Sequence, residues 1–101
     1  MDSAFAKETF KAWFEANQSM LSKFVHSKDI DSKSGRAAWA SIHMPSHTVG
    51  ISAWDHENKL EVIMIDIATE ESKVEDKTYS SRDKLQARLD ALLQQLLGMC
   101  E

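Results

Sequence analysis

Residues 49–71 read VGISAWDHENKLEVIMIDIATEE, two runs of strand-forming side chains joined by the polar segment DHEN at residues 55–58. β-Branched and aromatic residues are frequent in both runs, and the polar segment ends in Asn58, a residue that tolerates a positive φ. This arrangement predicts an antiparallel hairpin. The second run is the most apolar strand candidate in the chain, so we expect the hairpin to form the centre of a sheet.

The patterns on both sides of this hairpin predict one α+β domain over residues 1–101. Apolar residues at three- and four-residue steps indicate an amphipathic helix over residues 3–28 and a second helix that begins at Ser80 or Ser81. The strands between the helices are predicted at residues 36–43, 47–54, 59–68 and 73–79. Their short connections favour a four-stranded antiparallel β-meander with both helices packed on one face, in the order α-β-β-β-β-α.

Side-chain alternation divides the predicted sheet into two faces. The face expected to receive the helices carries aliphatic side chains: Ala38, Ala40, Ile42, Val49, Ile51, Ala53, Ile63, Ile65 and Ile67. The other face mixes aromatic, polar and acidic groups with some apolar ones: Trp39, Ser41, His43, Gly50, Ser52, Trp54, Leu60, Val62, Met64 and Asp66. Two tryptophans on an open face are candidate anchors for a partner. The alternative is that a loop, or a second copy of the chain in a homodimer, covers them.

Half of the acidic residues fall in one short segment. Residues 55–76 hold eight of the 16 acidic residues of the chain and two of its 12 basic residues. This excess disfavours nucleic acid and anionic membranes as partners, because phosphate groups are bound by basic surfaces. It favours a basic protein partner, with a solvated acidic surface of no binding function as the alternative.

Motifs of catalysis and of cofactor binding are missing from the sequence. There is no Gly-rich phosphate loop and no nucleophile elbow. His43 and His47 have the spacing H-x3-H, but the further ligands that a zinc site needs do not accompany them. We therefore expect no catalytic residue, no cofactor and no metal site. A single cysteine, no secretory signal pattern and no long apolar run are typical of a cytoplasmic protein.

Three segments carry a resemblance to a known family: Trp13-Phe14-Glu15 within TFKAWFEANQSML, GISAWD at residues 50–55, and LEVIMIDIATEE at residues 60–71. Together they resemble the TriTu-type immunity proteins of bacterial contact-dependent growth inhibition systems, and the similarity extends over nearly the whole chain. The resemblance implies a non-enzymatic inhibitor that stays in the cytoplasm and binds the C-terminal toxin domain delivered by a neighbouring cell. In that family the toxin is typically a nuclease that cleaves tRNA, in some cases with help from elongation factor Tu.

The predicted contact residues combine two possible apolar anchors with the acids of the central segment. They are Trp39, Trp54, Asp55, Glu57, Asp66, Glu70, Glu71, Glu75 and Asp76. An acidic surface of this kind can occupy a basic RNase site in place of RNA. Two other functions are compatible with the sequence: a small acidic chaperone or adaptor for a secreted protein, and a small enzyme or ligand-binding domain that uses the open sheet face.

Overall fold

A computed structural model describes residues 4–31 and 36–99. Its helices and strands are α1 (Ala6–Ala16), α2 (Gln18–Leu21), β1 (Val25–Asp29), β2 (Ala38–His43), β3 (His47–Trp54), β4 (Lys59–Asp66), β5 (Ser72–Thr78) and α3 (Arg82–Gly98). The strands form one antiparallel sheet in the order β1-β2-β3-β4-β5. The predicted α+β class is confirmed, although the sheet has five strands where four were predicted. In these residue ranges no helix has the length and hydropathy needed to cross a bilayer.

The hydrophobic core lies between the sheet and the two long helices. Phe10 and Phe14 of α1 and Leu89 and Leu92 of α3 are buried together with Ile51 of β3. Burying each of these side chains contributes about 1.5–3 kcal/mol relative to leaving it in water. We call the sheet face that packs in this core the inner face and the opposite one the outer face.

The prediction of one continuous helix over residues 3–28, whose first residue lies outside the described part of the chain, is wrong: α1 ends at Ala16, the separate helix α2 follows, and the chain is a strand from Val25. Asn17 follows α1, and its backbone N–H donates to the carbonyl oxygens of Trp13 and Phe14 at 3.2 and 3.1 Å. Its side-chain amide also donates to the oxygen of Trp13, at 2.8 Å. After the short helix α2, the chain forms the edge strand β1, which pairs with β2. Pairing with a distant strand therefore overrides the helical spacing of apolar residues in this region.

The side chains of β4 that face the helices are the ones predicted to lie on the opposite face of the sheet. The turn at residues 55–58 pairs Trp54 with Lys59, and both side chains belong to the outer face, so the next residue of β4 belongs to the inner face. The inner set is Leu60, Val62 and Met64, and the outward set is Ile63, Ile65 and Ile67. Apolar residues occupy both sets, so alternation within β4 does not identify its buried side. The faces predicted for β2 and β3 are confirmed.

The β3–β4 turn also holds the beginning of α1. The Asn58 side-chain oxygen accepts hydrogen bonds from the backbone N–H groups of Phe5 and Ala6, at 2.8 and 3.2 Å. Asp55 accepts a third from the N–H of Lys7, at 3.2 Å. These amides have no partner within the first turn of a helix, so the turn satisfies them from another part of the chain. Asn58 itself has a φ of 48°, in the left-handed region.

An ion pair joins α3 to the edge strand β5. Arg88 donates from Nε to one oxygen of Glu75 at 2.6 Å and from Nη2 to the other at 3.1 Å. Hydrogen bonds from Arg88 hold the pKa of the Glu75 carboxyl below its usual range, against the opposing effect of burial. The pair lies on the inner side of β5, where Glu75 is opposite the buried Val62.

Replacing Asn58 should destabilise the fold through α1. We expect Asn58→Ala to lower the free energy of unfolding by about 2–3 kcal/mol, because it leaves two amides without an acceptor and places alanine at a positive φ. Asn58→Gly keeps the favourable φ but lacks the oxygen, so it should cost about 1 kcal/mol. Asn58→Asp keeps an acceptor and should stay close to wild type. Urea unfolding measures all three, and a glycine variant as stable as wild type would show that the capping bonds contribute nothing.

Removing the Arg88–Glu75 pair should give a pH-dependent loss of stability. Because the folded-state pKa of Glu75 is depressed, its contribution is present above the unfolded-state value of 4.5 and is lost as the pH falls through the folded-state pKa. We expect Arg88→Met to cost about 1 kcal/mol at neutral pH and progressively less below about pH 4.

The matched control is Arg82→Met on the same helix, since Arg82 pairs with Glu8 and both side chains are more than half exposed. Its effect in urea unfolding should be close to zero at every pH. A loss for Arg88→Met that stays constant between pH 7 and pH 3 would contradict the assigned role of Glu75.

Candidate functional site

The outer face is uncovered in the described part of the chain, where both long helices pack on the inner face. None of the side chains that β2 to β5 present outward is buried. Their register arranges them in four rows across the sheet: Trp54–Lys59–Thr78, Trp39–Ser52–Glu61–Asp76, Ser41–Gly50–Ile63–Val74 and His43–Thr48–Ile65–Ser72. A face of this composition is a candidate for binding another macromolecule.

Trp39 and Trp54 lie at the same corner of the outer face. Their exposed fractions are 36% and 38%. Trp39 pairs with Ser52, so Trp54, two residues further along β3, is its diagonal neighbour, within the reach of large aromatic side chains. Asp29 and Ser52 line a shallow pocket with the two indoles, and Arg36 contributes to the same pocket. The structure thus brings together the two tryptophans that the sequence placed on one open face.

Small residues occupy the middle of the outer face, and exposed apolar residues occupy its end near the β4–β5 turn. Gly50 lies near the centre, where an added Cβ would meet no atom within 4 Å. Ser41 lies beside it on β2. Towards the β4–β5 turn, Ile65 is 38% exposed and Val74 is 63% exposed. Exposed apolar side chains therefore stand on two sides of a shallow trough of small residues.

The acidic residues of the central segment do not form one surface. Asp55 and Glu57 lie in the β3–β4 turn, whereas Glu70 and Glu71 lie beside β5 in the β4–β5 turn, at the opposite end of the sheet. The eight residues of β4 separate the two turns, a distance of about 26 Å at the usual rise of a strand. A partner that binds both turns must therefore span the sheet.

Three of the predicted contact acids have structural roles. Asp55 caps α1, and Glu75 pairs with α3. Asp66 accepts hydrogen bonds from the backbone N–H groups of Ala68 and Thr69 at 2.9 and 3.1 Å, and these bonds lower its pKa. Because the side chains of β4 alternate in the opposite sense to the prediction, Asp66 lies on the inner side of the sheet, whereas the sequence predicted the outer face. Replacing any of the three would disturb the fold as well as a binding surface.

Two carboxylates on the outer face were not among the predicted contact residues. Glu61 of β4 is the direct cross-strand partner of Asp76, and Lys59 lies 3.1 Å from Asp76. Asp29 of β1 is the cross-strand partner of Trp39. The register of the β3–β4 hairpin could have revealed Glu61, because pairing Trp54 with the first residue of β4 fixes its face. No sequence signal pointed to Asp29, which borders a region predicted as helix.

The histidines do not converge on a metal site. His43 points to the outer face, where its ring stacks on that of His26 with centroids 4.3 Å apart. His47 points to the inner side, where Nδ1 lies 2.7 Å from Ser46 Oγ and Nε2 lies 3.7 Å from an Asp66 oxygen. The last distance is too long for a hydrogen bond. Among residues 4–31 and 36–99, no three metal-ligating side chains come together.

Comparison with protein-family models, with curated proteins and with solved structures identified no match for this chain. The structural support for a function therefore comes from the chain's own residues: the uncovered outer face, the tryptophan corner and the distribution of charge around them.

Proposed function

We propose that this chain is a non-enzymatic, cytoplasmic immunity protein that binds and neutralises the C-terminal nuclease domain of a contact-dependent growth inhibition toxin. One observation carries the proposal: Trp39 and Trp54 are diagonal neighbours, both partly exposed, on a sheet face that the helices leave open. Tryptophan is enriched among the residues that dominate binding energy at protein interfaces. An open face with two such anchors is suited to binding a folded protein partner.

Charge supports a nuclease as that partner. A nuclease that cleaves tRNA binds phosphate groups, so the surface around its active site is basic. The outer face carries Asp29, Glu61 and Asp76, and exposed acids lie in the turns at both ends of the sheet. Acidic surfaces accelerate encounter with a basic partner and disfavour partners of like charge.

The toxin class comes from the sequence resemblance, in which GISAWD contributes Trp54 to the tryptophan corner and LEVIMIDIATEE contributes Glu61 to the outer face. Neutralisation needs only that the bound chain covers the basic surface and excludes tRNA. The proposed partner is the toxin domain, alone or with elongation factor Tu, and neither nucleic acid nor a membrane is a direct partner of this chain.

A second candidate function is a chaperone or adaptor for a secreted protein. The exposed apolar end of the outer face, at Ile65 and Val74, favours it, because such side chains can hold an apolar segment of a client. The two functions differ in their consequences for the cell. A chaperone is needed for export of its client, whereas an immunity protein protects against the toxin without affecting export.

Co-expression tests the proposal. The proposal expects a toxin gene directly before the gene for this chain, and the probe is the C-terminal domain that it encodes, produced from an inducible promoter in a bacterial host. We expect the wild-type chain to restore growth and to keep tRNA intact. The double variant Trp39→Ala, Trp54→Ala should lose protection, because it removes both anchors.

The matched control is Leu97→Ala, which truncates an apolar side chain that is 41% exposed on α3, on the other side of the molecule. It should protect as well as wild type. Growth arrest and cleaved tRNA in the presence of the wild-type chain would refute the immunity function, and loss of toxin export on deletion of the gene would favour the chaperone.

A further inference from the structure

We infer that the outer face recognises a basic segment of its protein partner, laid across the sheet along the row Trp39–Ser52–Glu61–Asp76 with an apolar side chain seated between the two indoles. This inference rests on the proposed function, because it identifies which surface of the chain meets the toxin domain. The contact residues predicted from the sequence include Trp39 and Asp76 of this row but not Glu61, and they include the acids of the two turns, which lie outside it.

The shape of the row suits an extended segment. Trp39 and its diagonal neighbour Trp54 are the large side chains at one end, and Ser52 follows at the centre. The adjacent row has Gly50 at its centre, with open space where a side chain would stand. A chain that crosses the sheet here meets small residues in the middle and two aromatic surfaces at one end, so it can approach the sheet closely.

The two carboxylates of the row, Glu61 and Asp76, favour the binding of a cation. Glu61 and Asp76 are directly opposite each other, a relation in which the Cα atoms are about 4.5–5.5 Å apart. The Lys59 ammonium group lies 3.1 Å from a carboxylate oxygen of Asp76, so it is already engaged in an ion pair with that residue. Like charges directly opposite on a sheet face oppose folding. A lysine or arginine of a partner, placed beside Glu61, converts this repulsion into attraction in the complex.

The tryptophan corner favours an apolar side chain over a second cation. Asp29 stands beside Trp39 on β1, which would attract a cation, but Arg36, a positively charged residue, lines the same pocket as the two tryptophans. A basic group entering this pocket would approach that positive charge. An apolar side chain avoids it and fills the space between two aromatic surfaces. The expected partner segment therefore has an apolar residue at one end and a basic residue towards β4.

The acids of the two turns are suited to raising the rate of association with the partner. Glu57, Glu70 and Glu71 are exposed at opposite ends of the sheet. Charges at the rim of an interface mainly change the association rate and its dependence on salt. A second copy of the chain is a poor occupant of the row, because it would bring a further excess of carboxylates to Glu61 and Asp76.

Binding of the purified toxin domain to variants of the full chain tests the inference. We expect Glu61→Lys to raise the dissociation constant at least ~10-fold, mainly through faster dissociation, as removal of a central charge contact does. Trp39→Ala should act in the same direction. The control Glu70→Lys, Glu71→Lys should change the dissociation constant by less than ~3-fold and act on the association rate.

Glu61→Lys also separates binding from folding. The new lysine faces Asp76, so the melting temperature should stay the same or rise while binding is lost. A Glu61→Lys chain that binds the toxin domain as tightly as wild type would overturn the inference and leave the immunity function standing.

A random-peptide library panned on the immobilised wild-type chain gives a test that does not depend on the toxin. We expect enrichment of peptides that combine lysine or arginine with a large apolar residue, and loss of their binding in Glu61→Lys. If the toxin domain does not bind but such peptides do, the immunity function fails and the inference stands. Enrichment of peptides without basic residues would overturn the inference. A wild-type chain that is a dimer in light scattering, and that the double variant Trp39→Ala, Trp54→Ala makes monomeric, would also overturn it.

Discussion

The turn between β3 and β4 is the constraint on which the rest of the structure depends. By pairing Trp54 with Lys59, it decides which side chains of β4 enter the core and which point outward. Its Asn58 and Asp55 side chains also satisfy the first backbone N–H groups of α1. One short segment thus sets the phase of a central strand and the position of the helix that packs on it.

The composition of the outer face follows from the direction in which the side chains of β4 point. With Leu60 and Val62 in the core, Glu61 and Ile63 must point away from the helices. The helices cover only the inner face, because α1 and α3 bury their apolar stripes there and leave polar and charged side chains towards solvent. The fold is therefore complete without a cover on the outer face, and two tryptophans are left available to a partner.

The carboxylates of the central segment divide into two groups with different physical roles. Asp55, Asp66 and Glu75 are used within the fold, in a helix cap, a turn and an ion pair. Glu61 and Asp76 oppose each other on the outer face, in an arrangement that is unfavourable for the isolated chain and favourable for binding a cation. The second arrangement agrees with the proposed function, in which the outer face binds a basic surface of its partner.

The sequence by itself determined the α+β class, the bounds of β3, the presence of the helix α3 and the shared face of Trp39 and Trp54, because these depend on local periodicity. Tertiary structure alone decided β1, which is a strand only through its pairing with β2. It also decided the phase of β4, whose two sides are both apolar, and hence that Glu61 faces outward. Acids that are neighbours in the sequence were separated for the same reason: a hairpin sends consecutive turns to opposite ends of a sheet, and only the strand register shows which charges meet.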